Sequence, residues 1–221
     1  MELKFKLGVD QIMEGTEQKV GLLGGTFDPI HHGHLLVAEC AVYKFDLDKV
    51  VFIPAGDPPH KQEQKITPVG DRYLMTLLAT IHNTNLTVSR LEIDKPGLSY
   101  TLDTVREFQD QYPEIKFYFI TGADSILEIS TWKQPKKLLS TVEFIAASRP
   151  GYSLSDLDKE VYDKYQHRIH PLQVPRLDIS STNIRQRVAE GRPIKYQLPE
   201  EVEMYIKKHG LYTEERTNND D

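Results

Sequence analysis

Apolar residues run along this chain in short, nearly unbroken blocks closed by glycine, proline or charge, and between the blocks they recur every three or four positions. The blocks Val20 to Leu23, Val50 to Pro54, Leu86 to Val88, Lys116 to Thr121, Val142 to Ser148 and Ile169 to Val174 predict strands, with Leu91 to Ile93 a further short extended piece. The helical spacings predict a helix over Leu35 to Tyr43 and another from a turn at Pro96 to Thr101 through about Gln111. Leu74, Leu77, Leu78 and Ile81 fall at i, i+3, i+4 and i+7, which predicts an amphipathic helix from Pro68 to His82 packed on the sheet by that stripe. Ser153 to Gln166 predicts a charged surface helix, a further helix ends before Gly191, and a last one carries Val202, Tyr205 and Ile206 and closes at Gly210. Strand and helix alternate, so the fold class is α/β, with a mostly parallel sheet covered by helices on both faces. The pattern spans residues 20–212 as one domain; residues 1–19 form an N-terminal extension without a sustained period, and 213–221 a polar tail that reads as disordered.

Composition narrows the picture. Hydrophobic residues make up 39% and charged residues 27% of 221, and no run approaches the roughly 18 apolar residues of a membrane span. A net charge of −6 argues against broad nucleic-acid binding. No secretory signal pattern opens the chain, and the lone Cys40 allows no internal disulfide, so a cytoplasmic protein is expected. The composition leaves a homo-oligomer open.

The chemistry concentrates after the first strand, in Gly24-Gly25-Thr26-Phe27-Asp28-Pro29-Ile30-His31-His32-Gly33-His34. Strand, glycine-rich turn and helix start follow in order. Glycines let backbone approach a ligand, and a helix beginning near Gly33 aims its free N–H groups and positive dipole end at an anion. His31 and His34 stand at that mouth as donors for the same phosphate oxygens. Neither the Walker A loop nor the Gly-x-Gly-x-x-Gly fingerprint is present. Three histidines in four residues also fit a zinc site or a plain polar turn, but no Cys or His pair downstream completes a tetrahedral set, and a polar turn leaves the glycines unexplained.

Other candidates sit at predicted strand ends, the edge where open α/β sheets bind ligands. Lys61 follows Pro58-Pro59-His60; Gly122 and Asp124 follow one strand, and Arg149 another. Asp124 can accept two ribose hydroxyls or cap a helix, and Arg149 can meet a phosphate or solvent. Ser99 or Thr101 can cap the next helix, and Trp132 can be core packing. Ser181 and Arg185, four apart beside Thr182, share one helix face and build a second anion site with the exposed amides.

Two stretches carry a resemblance. The segment from Gly24 to His34 resembles the His-x-Gly-His signature of nucleotidylyltransferases in its long bacterial nicotinate-nucleotide adenylyltransferase form, and Ile179-Ser180-Ser181-Thr182-Asn183-Ile184-Arg185 is similar to that group's Ile-Ser-Ser-Thr-x-Ile-Arg motif. The resemblance implies a Rossmann-like nucleotidylyltransferase fold and transfer of the adenylyl group of ATP to nicotinate mononucleotide. It implies ATP contacts from Gly24, Gly25, Thr26, Phe27, His31, His34, Gly122, Asp124, Ser181, Thr182 and Arg185, and mononucleotide contacts from Lys61, Thr101, Trp132 and Arg149. Catalytic roles fall to His31 and His34, with Mg2+ held mainly on the ATP phosphates and no protein metal site. Nicotinamide mononucleotide or phosphopantetheine as acceptor, and a non-catalytic nucleotide-binding regulator, are the rival readings.

Overall fold

The computed structural model describes residues 18–58, 66–148 and 157–213. Its strands are β1 (Lys19–Gly25), β2 (Lys49–Pro54), β3 (Leu86–Val88), β4 (Lys116–Gly122), β5 (Glu143–Ser148) and β6 (Ile169–Gln173). They form one sheet in the order β3-β2-β1-β4-β5-β6, every pair parallel. In the register Leu22 faces Val51 on one side and Phe119 on the other.

The helices are α1 (His32–Phe45), α2 (Val69–Thr80), α3 (Thr101–Gln111), α4 (Ala123–Leu127), α5 (Pro135–Thr141), α6 (Lys159–Tyr165), α7 (Ser181–Ala189) and α8 (Glu200–Lys208). Leu23, Phe52 and Ile120 point to a core shared with α1, α2, α7 and α8, whereas Leu22, Val51 and Phe119 point to a second core under α3 to α6. A sheet buried on both faces needs apolar residues at both parities of each strand, hence the unbroken blocks. The chain leaves β1 toward β2 on one side and reaches β4 on the other, so a crevice opens between the carboxyl ends of β1 and β4. Among the described residues no helix is long and apolar enough to cross a membrane.

Three expectations are corrected. Leu91 to Ile93 is a turn rather than a strand: the Arg90 carbonyl accepts from the N–H groups of Ile93 and Asp94, and Ser89 Oγ from that of Leu91. The charged helix starts at Lys159, where the Asp158 carboxylate accepts from Glu160 and Val161 N–H, and residues 153–156 lie outside the described set. α2 is rotated from its apolar stripe: Arg72, Tyr73, Met75, Thr76 and Thr80 are buried, Leu77 and Leu78 partly so, and Leu74 and Ile81 are exposed. Four backbone carbonyls converge on the Arg72 guanidinium and draw that face inward, and the Thr76 and Thr80 hydroxyls donate to carbonyls four residues back. The extension before residue 18 and the tail from 214 are likewise outside the described residues.

Candidate active site

At the end of β1 the backbone turns into α1 through an N-cap that is a histidine, not the usual Ser, Thr, Asp or Asn. Gly33 N–H donates to His31 Nδ1 at 3.1 Å, and His31 N–H donates to His34 Nδ1 at 3.2 Å. This is a reciprocal capping box built from two imidazoles. Gly33 is required by it, because a β-carbon there would lie 2.9 Å from the His31 ring. The two rings stack with centroids 3.8 Å apart, and the buried Phe27 ring meets His34 edge-on at 5.1 Å.

The cap also fixes the protons. Each Nδ1 accepts a backbone N–H and is bare, so each neutral ring carries its proton on Nε2. Burial, and then the neighbouring His32, lowers the His31 pKa from 6.5 to about 4; burial, and then His31, holds His34 well below its ordinary value. Near neutral pH both histidines are therefore uncharged donors.

The turn before the cap is fastened from distant parts of the chain. Phe27 has a left-handed backbone (φ 49°), uncommon for an aromatic residue. The buried Asp28 carboxylate accepts from Tyr212 Oη at 2.7 Å and from Thr67 N–H at 3.3 Å. Arg185 donates to the Asp28 carbonyl at 2.7 Å and Ser181 Oγ to the Pro29 carbonyl at 2.8 Å, so the second sequence motif is bonded to the first. Arg72, 2% exposed, donates to the carbonyls of Thr67, Thr26, Ala55 and Gly56 and so joins the ends of β1 and β2. A β-carbon on Gly56 would lie 2.2 Å from the Glu92 carbonyl oxygen; this position admits only glycine.

Two neighbouring cavities open here, the first of them in the crevice. One, of about 480 Å3, lies between Gly24, His31, Gly33 and His34 on the β1 side and Gly122, Asp124 and Ser125 on the β4 side. The other, of about 660 Å3, is lined by Ser99 to Leu102, Ser125, Glu128, Trp132 and Lys133. Ser125 belongs to both. Asp124 is exposed in the first turn of α4, whose N-cap is Gly122, so the capping role open to Asp124 is not taken. Thr101 opens α3, and neither it nor Ser99 caps it: Tyr100 is the N-cap and offers no side-chain bond, so the first N–H groups of the helix have no partner within it. Trp132 packs edge-on against Phe119 and Phe144 while another part of it faces the cavity.

Other expected site residues are placed differently. Gly25, Thr26 and Phe27 lie behind the first cavity, where the Thr26 carbonyl binds Arg72 and the Phe27 ring supports His34. Ser181 and Arg185 hold the turn, with Thr182 Oγ1 3.4 Å from Arg185 Nη2. Lys61 and Arg149 fall outside the described residues. Reading the sequence passed over Arg72, Tyr212, Ser125 and Lys133; only Arg72 left a trace, as a charge within a helix whose neighbours are mostly apolar.

The cytidylyltransferase-like family profile matches residues 22–187, which hold both motifs. A probable nicotinate-nucleotide adenylyltransferase of Moorella thermoacetica is 55% identical over 198 residues, covering 88% of this chain and 91% of its own. The chain belongs to that family. Another member, from Thermoanaerobacter sp., is 52% identical over 206 residues, covering 91% of this chain and 98% of its own. Among solved structures, the fold is similar to that of Plasmodium falciparum nicotinic acid mononucleotide adenylyltransferase complexed with NaAD, with TM-score 0.74 at 22% identity over 89% of this chain and 98% of that one. The same enzyme complexed with APC gives TM-score 0.71 at 21% identity over the same shares.

Proposed function

We propose that this chain transfers the adenylyl group of ATP to nicotinate mononucleotide, giving nicotinate adenine dinucleotide and pyrophosphate in NAD biosynthesis. The observation that carries the reading is the pair of cavities meeting at Ser125, one lined by both His31 and His34 and an aromatic one at an uncapped helix start, in a chain 55% identical to a member of this family. The triphosphate suits the first and a flat pyridine carboxylate the second.

The mononucleotide phosphate is already an anionic nucleophile. One of its oxygens bonds to the α-phosphorus of ATP as the bond from that phosphorus to the bridging oxygen of pyrophosphate breaks, so no protein nucleophile is needed. Catalysis then rests on alignment and on donors aimed at growing negative charge. His34 Nε2–H donates to the α-phosphate, and His31 Nε2–H helps hold the triphosphate. Being neutral, both give a hydrogen bond without giving up the proton. Asp124 accepts the ribose hydroxyls, and Trp132 stacks on the pyridine ring beside the α3 amides and Thr101. Arg185 has five N–H donors, and those beyond its contacts with Asp28 and Thr182 face the departing phosphates together with Thr182. Lys61 and Arg149 complete the mononucleotide side. Mg2+ would supply charge neutralisation, held through the ATP phosphates; among the described residues no group of three or more His, Cys, Asp or Glu lies together.

The test is pyrophosphate release with ATP and Mg2+, run in parallel with nicotinate mononucleotide, nicotinamide mononucleotide and phosphopantetheine. Preference for the first is expected. Preference for phosphopantetheine, or ATP binding without release under any acceptor, would overturn the reading.

A further inference from the structure

The aromatic cavity holds a cation that the motifs do not account for. Lys133 lines it next to Trp132, its ammonium 3.8 Å above the Tyr100 ring centroid and 3.1 Å from the Asp103 carboxylate. Tyr100 and Asp103 flank the first turn of α3, so the ammonium is tethered at the helix start whose residues Tyr100, Thr101 and Leu102 line the cavity. A lysine in an exposed ion pair contributes little to stability. This one is held by an aromatic face and a carboxylate at once, with its side chain 39% exposed.

We propose that Lys133 sets the preference of this site for the acid over the amide mononucleotide. The inference rests on the function proposed above. A pyridine ring in the cavity presents its 3-substituent to the polar groups there. A carboxylate gains from the Lys133 ammonium and from the helix-start amides, while a neutral carboxamide gains only hydrogen bonds. Lys133 also masks Asp103. Without the lysine, the Asp103 carboxylate acts unopposed on an incoming carboxylate and leaves the amide nearly unaffected, so one substitution acts twice on the acid.

The experiment measures kcat/KM of the full chain for nicotinate mononucleotide and for nicotinamide mononucleotide, with the inhibition constant of the amide used where its turnover is too slow. Lys133→Met and Lys133→Gln are expected to lower the acid-to-amide ratio about tenfold, mainly through KM for the acid, and Lys133→Arg to restore it. A ratio that falls less than about threefold in either neutral variant, an equal loss for both substrates, or no recovery in the arginine variant would overturn the role of Lys133. Absence of turnover with either mononucleotide in the unaltered chain would instead overturn the proposed function.

Discussion

The histidine cap ties stability to pH with a definite sign. His31 has a folded-state pKa of about 4 against 6.5 in the unfolded chain, so between these values the unfolded state binds more protons. The stability the neutral ring contributes is present in full above pH 6.5 and is lost as pH falls through that window. Native stability then drops by about 2 kcal/mol between pH 7 and pH 5, and by about 3 kcal/mol by pH 4, from this residue alone. The physical event is plain: a proton on Nδ1 turns the acceptor for Gly33 N–H into a second donor, and the cap opens. His31→Asn keeps a side-chain acceptor at a position where asparagine is favoured, and it does not titrate. The assay is urea unfolding of both proteins at pH 7, 6 and 5. Ionisations away from the cap occur in both and cancel in the difference, while His34, lowered by burial first and then by His31, is less depressed in the variant, which widens the gap. The unaltered chain should lose about 2 kcal/mol more than the variant on going from pH 7 to 5. Parallel curves, or a variant that loses more, would refute the account of the cap.

Other perturbations probe other parts of the site. His34→Ala removes the donor proposed for the α-phosphate and should lower kcat about 10²–10³-fold, seen in pyrophosphate release at saturating substrates. Arg72→Met leaves the carbonyls of Thr26, Ala55, Gly56 and Thr67 without their donor and should cost about 3–5 kcal/mol in urea unfolding, with Arg72→Lys recovering only part of it because an ammonium cannot span all four. Gly56→Ala should destabilise by more than about 2 kcal/mol through its clash with the Glu92 carbonyl, whereas Gly70→Ala, in α2 with nothing within 4 Å, should stabilise by roughly 0.5–1 kcal/mol; thermal midpoints on the two sides of the parent check the pair.

Much of the fold was legible because a parallel sheet buried on both faces needs apolar residues at successive positions, and such blocks stand out against helical spacing. The segment 91–93 misled for the same reason: two apolar residues around Glu92 suffice for a strand signal but not for a sheet neighbour, and the backbone closed on Arg90 instead. For α2, the stripe Leu74 to Ile81 ranks residues by apolarity, which places an arginine outside; Arg72 is inside because its donors are matched by carbonyls from loops elsewhere in the chain. The His-x-Gly-His turn announced itself through residue types needed at close spacing. Its fasteners did not: Asp28 and Tyr212 are 184 positions apart, and nothing local to either signals the pairing. Lys133 carried no signal in the sequence, because its partners Tyr100 and Asp103 lie some thirty positions away.

The fastening of the turn bears on how the protein is made. Its bonds join Pro29 to Ser181, Asp28 to Arg185 and Asp28 to Tyr212 across 152, 157 and 184 positions. A chain emerging from the ribosome can cap α1 with its two histidines early, since those partners are two and three residues apart. The loop before them has only its bonds to Thr67 and Arg72 until α7 and then Tyr212 have been translated. Messages cut short before that tyrosine therefore encode a sheet complete in its strands whose histidine turn lacks its last fastener, and nascent chains complete the turn only near the end of synthesis.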